Sequence, residues 1–277
     1  MIPGPARRIG VEPYFAELVE GIEEVLHPVG YSVLVLVAAD RASELAAYRR
    51  WAADDGVEGV VVVDLVEGDA RPALLESLEL PHVLAAHLDD PRACTSEVAD
   101  DAQRIGAAIE FLAGIGHRRI GHVSGPAHLV HTAERSVTIQ EVARLLDLDV
   151  RTAEADYTAT AGTSAVVSLL DVADPPTAVI FDNDVMAVAA LEFLTESGIS
   201  VPGDVSLMSA DDSPLCELTV PPLSAMSLDV HHRGERLGTA VLALLAGGDA
   251  RQPPSPPSQV LVRETTAPPA DRPAHGV

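Results

Sequence analysis

The 277-residue chain carries 42 acidic side chains against 18 basic ones, a net charge of −24, and every basic residue is an arginine. A field of that sign repels phosphate backbones, so the chain by itself is expected to bind nucleic acid poorly. Hydrophobic residues make up 47% but aromatics only 3%, which suits strands of Val, Ile, Leu and Ala buried by helices, and the length suits two lobes better than one core.

In chain order, MIPGPARRIGVEPYF has two arginines but no apolar core of a signal peptide. Only Met1-Ile2 precede Pro3-Gly4-Pro5, so the chain reads as starting inside its first strand, with something upstream missing. A helix is predicted over Tyr14–Leu26, a strand over Tyr31–Val37, a helix over Ala42–Ala53 and a strand over Gly59–Val63. A helix over Arg71–Leu78, a strand over His82–Ala85 and a helix over Asp101–Ile115 follow, the last stopped by Gly114-Ile115-Gly116. Next come strand Arg119–Val123, helix Ala133–Leu146, strand Thr152–Asp156, helix Ala161–Leu170, strand Ala178–Phe181 and helix Val185–Ser197. Gly198 ends that helix, and Pro202-Gly203-Asp204 turns the chain into strand Val205–Ser209. Leu237–Leu245 reads as a helix, Arg251–Pro257 as a Pro-rich linker and Gln259–Glu264 as a last strand. The tail from Ala267 is expected to be disordered. Such alternation means parallel sheets with crossover helices.

Two polar clusters fall at the carboxyl ends of predicted strands: Asn183-Asp184 and Asp211-Asp212-Ser213-Pro214. Open α/β sheets bind ligands at those ends. No apolar run reaches the length of a membrane span, and Cys94 and Cys216 offer neither a disulfide framework nor metal-ligand spacing. A cytoplasmic protein is expected. No catalytic elbow, phosphate-cradling glycine loop or Gly-x-Gly-x-x-Gly is present, so no enzyme and no cofactor is expected.

Several segments carry a resemblance. Pro13-Tyr14-Phe15-Ala16-Glu17-Leu18 with Gly21-Ile22-Glu23-Glu24, Gly30-Tyr31-Ser32 and Gly116-His117-Arg118-Arg119-Ile120 come first. Asn183-Asp184-Val185-Met186-Ala187, Val201-Pro202-Gly203-Asp204-Val205-Ser206, Asp211-Asp212-Ser213-Pro214 and Pro221-Pro222-Leu223 complete the set. In this order they resemble the effector domain of lac-repressor/gal-repressor regulators, from Tyr14 to Thr266. The resemblance implies two Rossmann-like lobes with parallel sheets joined by three crossovers, the periplasmic-binding-protein-like type I fold. The N-terminal lobe would be 1–116 plus 226–254, the C-terminal lobe 117–225 plus 255–266, and 267–277 the tail. It also implies a homodimer, with Arg71–Leu78 and Trp51–Asp55 presenting an exposed apolar face in a monomer. The family's helix-turn-helix headpiece is not recognisable here, so DNA would be reached only through an upstream module.

The resemblance places a small-molecule effector, sugar-like or nucleoside-like and most simply a carbohydrate, on named residues. Asn183 and Asp211 correspond to positions that hydrogen-bond ligand hydroxyls, with an N-cap as the alternative role for Asn183. Asp212 is assigned to turn amides. Arg135 corresponds to the arginine that clamps polyols or carboxylates, the alternative being a solvated first-turn arginine beside Glu134. Where the family commonly has a second arginine and a nearby glycine, Ala133 and Thr138 stand. Tyr14, Phe15 and Tyr157 offer rings for stacking, though Phe15 would equally pack in its lobe, and His131 a hydrogen bond. Asp101 is read as a helix cap. His122, His128 and His131 lack ligand spacing, so no metal is expected. The alternative function is a solute-binding protein of a sugar importer.

Overall fold

A computed structural model describes residues 2–3, 13–85, 96–252 and 257–270, with side chains of the helix that opens at Ser96 described from Asp101 onward. Cys94, Arg7 and Arg8, singled out above or counted among the arginines, lie outside these residues. The chain divides into two compact units, 1–101 with 128–131 and 229–256, and 102–127 with 132–228 and 257–277. Among the described residues no helix is long and apolar enough to cross a membrane.

The second unit is built on a six-stranded sheet in the order β10-β9-β8-β7-β5-β6. Its strands are β5 (Arg119–Ser124), β6 (Asp149–Glu154), β7 (Ala178–Phe181), β8 (Ser206–Ser209), β9 (Ser224–Met226) and β10 (Val260–Leu261). All neighbours run parallel except β9 and β10. The two-residue alternation of β7 explains its central place. Val179 and Phe181 enter a core with α6 (Ala159–Leu170) and α7 (Asp184–Glu196). Ala178 and Ile180 enter a second core with Ile105, Ile109 and Leu112 of α4 (Ser96–Gly114) and Ile139 of α5 (Val130–Leu146). Helices on both faces bury the strand completely, hence its unbroken apolar run.

In the first unit, β1 (Ile2–Pro3) pairs with β2 (Val37–Ala38) and β3 (Val60–Val62) with β4 (His82–Leu84), each in parallel. Around them lie α1 (Pro13–Leu26), α2 (Arg41–Ala53), α3 (Ala70–Ser77) and α9 (Val230–Leu245). The strand expected over Tyr31–Val37 forms only at its end. Ser32 to Leu36 instead border an apolar cavity of about 220 Å³, lined also by Leu18, Ile22, Val61 and Val241. No described strand lies beside them to complete a ladder, and a strand exists only as a pairing. The expected apolar face on Arg71–Leu78 is also corrected. Leu74, Leu78 and Trp51 pack on a core of Tyr48, Val62, Leu75 and Leu84. Among the described residues, Val29, Leu34 and Val35 are the exposed large apolar residues of this unit. Arg71 is fully buried, bound to Asp69, Glu44 and the Asp64 carbonyl.

Boundaries moved where pairing outweighed composition. β6 begins at Asp149 rather than Thr152 because it aligns from Arg119↔Asp149 to Ser124↔Glu154 along β5. It is an edge strand of mostly partly exposed residues, so its apolar signal is weak. The helix α8 (Pro214–Leu218) and β9 were not foreseen. β9 is only Ser-Ala-Met, and its identity comes from its neighbours β8 and β10.

Helices α1 and α9 touch backbone to backbone through glycine. A Cβ on Gly21 would lie 2.0 Å from the His231 carbonyl oxygen, and one on Gly234 would lie 2.3 Å from that of Leu18. Neither obstacle is a side chain that can swing away. Gly21→Ala and Gly234→Ala should each destabilise the protein by about 1–3 kcal/mol or more in urea unfolding. Gly114→Ala, with nothing within 4 Å of its Cβ, should be neutral or stabilising by up to about 1 kcal/mol.

Candidate functional site

β5, β7 and β8 end level with one another. Val123 pairs with Phe181, which pairs with Ser209. The ladder runs one step further, Asp182 N–H donating to the Val123 carbonyl at 3.0 Å and Ala210 N–H to that of Phe181 at 2.8 Å. The three chains then leave the sheet as Gly125, Asp182-Asn183-Asp184 and Asp211-Asp212-Ser213. Helices α7 and α8 open there, capped by the side chains of Asn183 and Ser213.

Asp182 ties this edge together. It is fully buried. One carboxylate oxygen accepts from His122 Nε2 at 2.9 Å and the other from Gly125 N–H at 2.9 Å. Arg135 Nη1 lies 3.6 Å from the second oxygen and 3.4 Å from the Asp182 carbonyl. Burial pushes the carboxyl upward, but Arg135, His122 and the Gly125 amide outweigh it and hold the group well below the usual carboxylate range. Asp184 moves the other way, raised chiefly by burial, with Ser213 Oγ bonded to its carboxylate.

Asn183 caps α7, its Oδ1 accepting from Met186 N–H at 3.0 Å while Nδ2 donates to the Tyr157 carbonyl at 3.3 Å. Tyr157 follows β6 at φ +67°, a conformation that costs a non-glycine residue of order 1–3 kcal/mol. Its hydroxyl lies 3.2 Å from Thr132 Oγ1. The ring occupies the space over Gly125, where a Cβ would lie 2.1 Å from Tyr157 Cζ. Asp211 sits past β8 with Oδ1 3.6 Å from Arg104 Nη2, and Arg104 is almost fully buried.

The sequence matches the periplasmic binding protein-like domain family over residues 109–266. A LacI family transcriptional regulator from Bifidobacterium animalis subsp. lactis is similar in structure at a TM-score of 0.85 with 32% identity, over 94% of this chain and 96% of that one. This chain belongs to the LacI family. The HTH-type transcriptional regulator CelR of Thermobifida fusca is 29% identical over 248 residues, covering 87% of this chain and 72% of the relative. The solved complex of a transcriptional regulator CelR with cellobiose shares the fold at a TM-score of 0.82 with 24% identity, over 96% of this chain and 83% of that one. These relatives are transcriptional regulators, and this LacI-family chain is the ligand-sensing part of one rather than the binding protein of an importer.

Within the second unit of the LacI-family chain, Arg135, Tyr157, Asn183 and Asp211 gather at the strand ends. Tyr14, Phe15 and His131 belong to the first unit. Phe15 is buried there, its ring edge-on to Tyr14 at 5.2 Å. Arg135 is not a solvated first-turn residue beside Glu134. It is buried in the second turn of α5, because a buried carboxylate at 182 draws it inward. Thr138, where the resemblance expects a glycine, faces Gly106 on the neighbouring helix. A Cβ on Gly106 of α4 would lie 3.3 Å from Thr138 Cγ2, so the room is made from the other side.

Other expectations shift. Asp101 does not cap a helix, since α4 opens at Ser96. It is buried and pairs with Arg233 at 3.1 Å. Asp212 serves Arg263 rather than turn amides, at 2.8 and 3.0 Å. His231 and His232 lie in the first turn of α9. Cys216 is a free, buried thiol pushed up to about 12 by burial and then by Asp184. Asp182, His122 and Arg104 were missed. Asp182 directly follows the AVIF run, but its meaning depends on β5 lying beside β7, which places His122 next to Ile180.

Because its folded pKa is depressed, Asp182 contributes stability at neutral pH. That contribution is full above the unfolded carboxylate value and is lost as pH falls through the folded one. Stability should therefore fall below about pH 4, and Asp182→Asn should flatten that dependence. At pH 7 the variant should lose about 3–5 kcal/mol in denaturant unfolding, since Arg135 is left buried without its counter-charge.

Proposed function

We propose that this LacI-family domain senses a neutral, hydroxyl-rich small molecule, most simply a carbohydrate, through Asn183, Asp211, Arg135 and Tyr157 of the second unit. The observation that carries the reading is the charge pairing at the strand ends. Arg135 faces Asp182 and Arg104 faces Asp211. Both guanidinium groups therefore meet a carboxylate of the protein before any ligand arrives. A phosphate or carboxylate ligand would have to compete with those carboxylates, whereas sugar hydroxyls can donate to Asp211 and accept from Asn183 without displacing a charge. Tyr157 offers a ring for the apolar face of a pyranose. The cellobiose held by a CelR relative is a ligand of this type.

The domain acts by binding, not by turnover, in the cytoplasm and as a homodimer. Differential affinity of the ligand for two conformational states would shift their balance and reposition a DNA reader. Operator contact is assigned to a helix-turn-helix module such as those of the HTH-type relatives, since these residues carry −24 net charge and no lysine.

Calorimetric titration with neutral mono- and disaccharides, nucleosides and sugar phosphates tests the ligand class. A neutral sugar should bind and a sugar phosphate should not. Tight binding of phosphates alone would overturn the assignment. Asp211→Ala should weaken the sugar by roughly ten- to a hundredfold, the loss of about 1.5–3 kcal/mol for a charged-group hydrogen bond. Asn183→Ala should weaken binding similarly and also lower stability by about 1–2 kcal/mol, because the residue caps α7. Gly125→Ala should push the Tyr157 ring aside and reduce affinity with little change in stability, since only the far end of a side chain must move. Light scattering at micromolar concentration should report a dimer.

A further inference from the structure

The α1–α9 pair carries a side-chain cluster unrelated to the strand-end site. His231 and Glu235 stand one turn apart on the same face of α9, and Glu24 meets them from α1. One donor atom from each lies within 4.8 Å of the others. His231 Nε2 is 2.9 Å from Glu24 Oε2, and Glu235 Oε2 accepts from His232 Nδ1 at 2.8 Å. The cluster is open to solvent, with the Glu24 side chain 64% and that of His231 37% exposed.

Its backbone is held where the donors are. Gly21, one turn before Glu24, presses so closely on α9 that its Cβ would lie 2.0 Å from the His231 carbonyl oxygen and 3.0 Å from Glu235 N. The residues of α9 against which Gly21 is seated are the two that carry its donors. Neither helix can slide without breaking that contact, so the spacing of the three side chains is built in.

We propose that Glu24, His231 and Glu235 form a binding site for a divalent transition ion of the Zn²⁺ class, which ties α1 to α9. An imidazole nitrogen and carboxylate oxygens are zinc donors, at about 2.0–2.2 Å in a tetrahedral arrangement. Three donors already within 4.8 Å of one another converge on such a centre by rotation of exposed side chains alone. Water takes the fourth position. The ion replaces the His231–Glu24 hydrogen bond, with neutral imidazole as ligand and two carboxylates offsetting the ion's charge. His232 holds one oxygen of Glu235 and leaves the other free to turn toward the ion, the role an outer partner plays for a ligating carboxylate. The imidazole selects against Mg²⁺ and Ca²⁺, which take oxygen ligands in larger number. The net charge of −24 raises the local concentration of cations at such a surface.

The test is calorimetric titration of the tag-free, EDTA-stripped full chain with ZnCl₂, together with the visible spectrum of the Co²⁺ form. Zinc should bind at one equivalent and raise the melting temperature, and Co²⁺ should show the intense visible bands of a four-coordinate ion. His231→Ala, Glu235→Ala and Glu24→Gln should each weaken binding by roughly 10–100-fold or more. They should abolish the thermal shift while leaving melting in EDTA nearly unchanged. His128→Ala, an exposed histidine outside the cluster, should behave as the parent. Absence of saturable zinc binding would overturn the proposal, and so would affinity unchanged in both His231→Ala and Glu235→Ala.

Discussion

A single buried carboxylate, Asp182, sets the geometry of the strand ends. It lies where β7 leaves the sheet, and its two oxygens reach β5 through His122, the following turn through Gly125 and α5 through Arg135. A charge out of contact with water is tolerated only when its partners are in place, so the position of α5 relative to β5 and β7 is coupled to this one group. The next residue, Asn183, fixes the start of α7 and reaches across to the Tyr157 carbonyl. Tyr157 in turn lies over Gly125. Four segments distant in sequence are thus locked by hydrogen bonds that begin at adjacent positions of one turn.

The same arrangement supports the proposed class of effector. An arginine is the natural clamp for an anionic ligand, yet Arg135 is seated against Asp182 and Arg104 against Asp211. Their charges orient side chains within the protein. The strand ends then present hydrogen-bonding capacity and an aromatic ring, and the proposed neutral effector follows from that balance. A comparable trade occurs in the packing. Thr138 packs close against Gly106 on the opposing helix, where a Cβ would lie 3.3 Å from its Cγ2.

The two units differ in how their strands are satisfied. In the second, six strands share one sheet whose faces are both covered by helices. In the first, the described strands form two separate pairs, and the β-branched run after Tyr31 borders a cavity. High strand propensity at Val33, Val35 and Val37 makes an extended chain favourable, but the ladder bonds need a neighbour. Helices α1 and α9 of the first unit meet instead through glycine contacts, backbone to backbone.

The amino-acid sequence by itself determined the α/β alternation, the fully buried strand AVIF, the placement of Asn183 and Asp211 just beyond strand ends, and the family. These are local: apolar run length, helix punctuation and the order of short motifs are all properties of neighbouring residues. Only the tertiary structure decided which charges meet. His122 and Asp182 are 60 residues apart, Asp101 and Arg233 are 132 apart, and Asp212 finds Arg263 across 51. Asp101 looked like a cap and Asp212 like a turn residue because local amides were the only partners visible along the chain, and Asp182 carried no local signal at all. Folding brought an arginine to each, Arg135 to Asp182, Arg233 to Asp101 and Arg263 to Asp212, and an ion pair in a partly or fully desolvated setting outweighs an exposed turn hydrogen bond. The sheet order did the rest, since the side chain beside a given strand residue is set by pairing register, which the sequence of one strand does not contain.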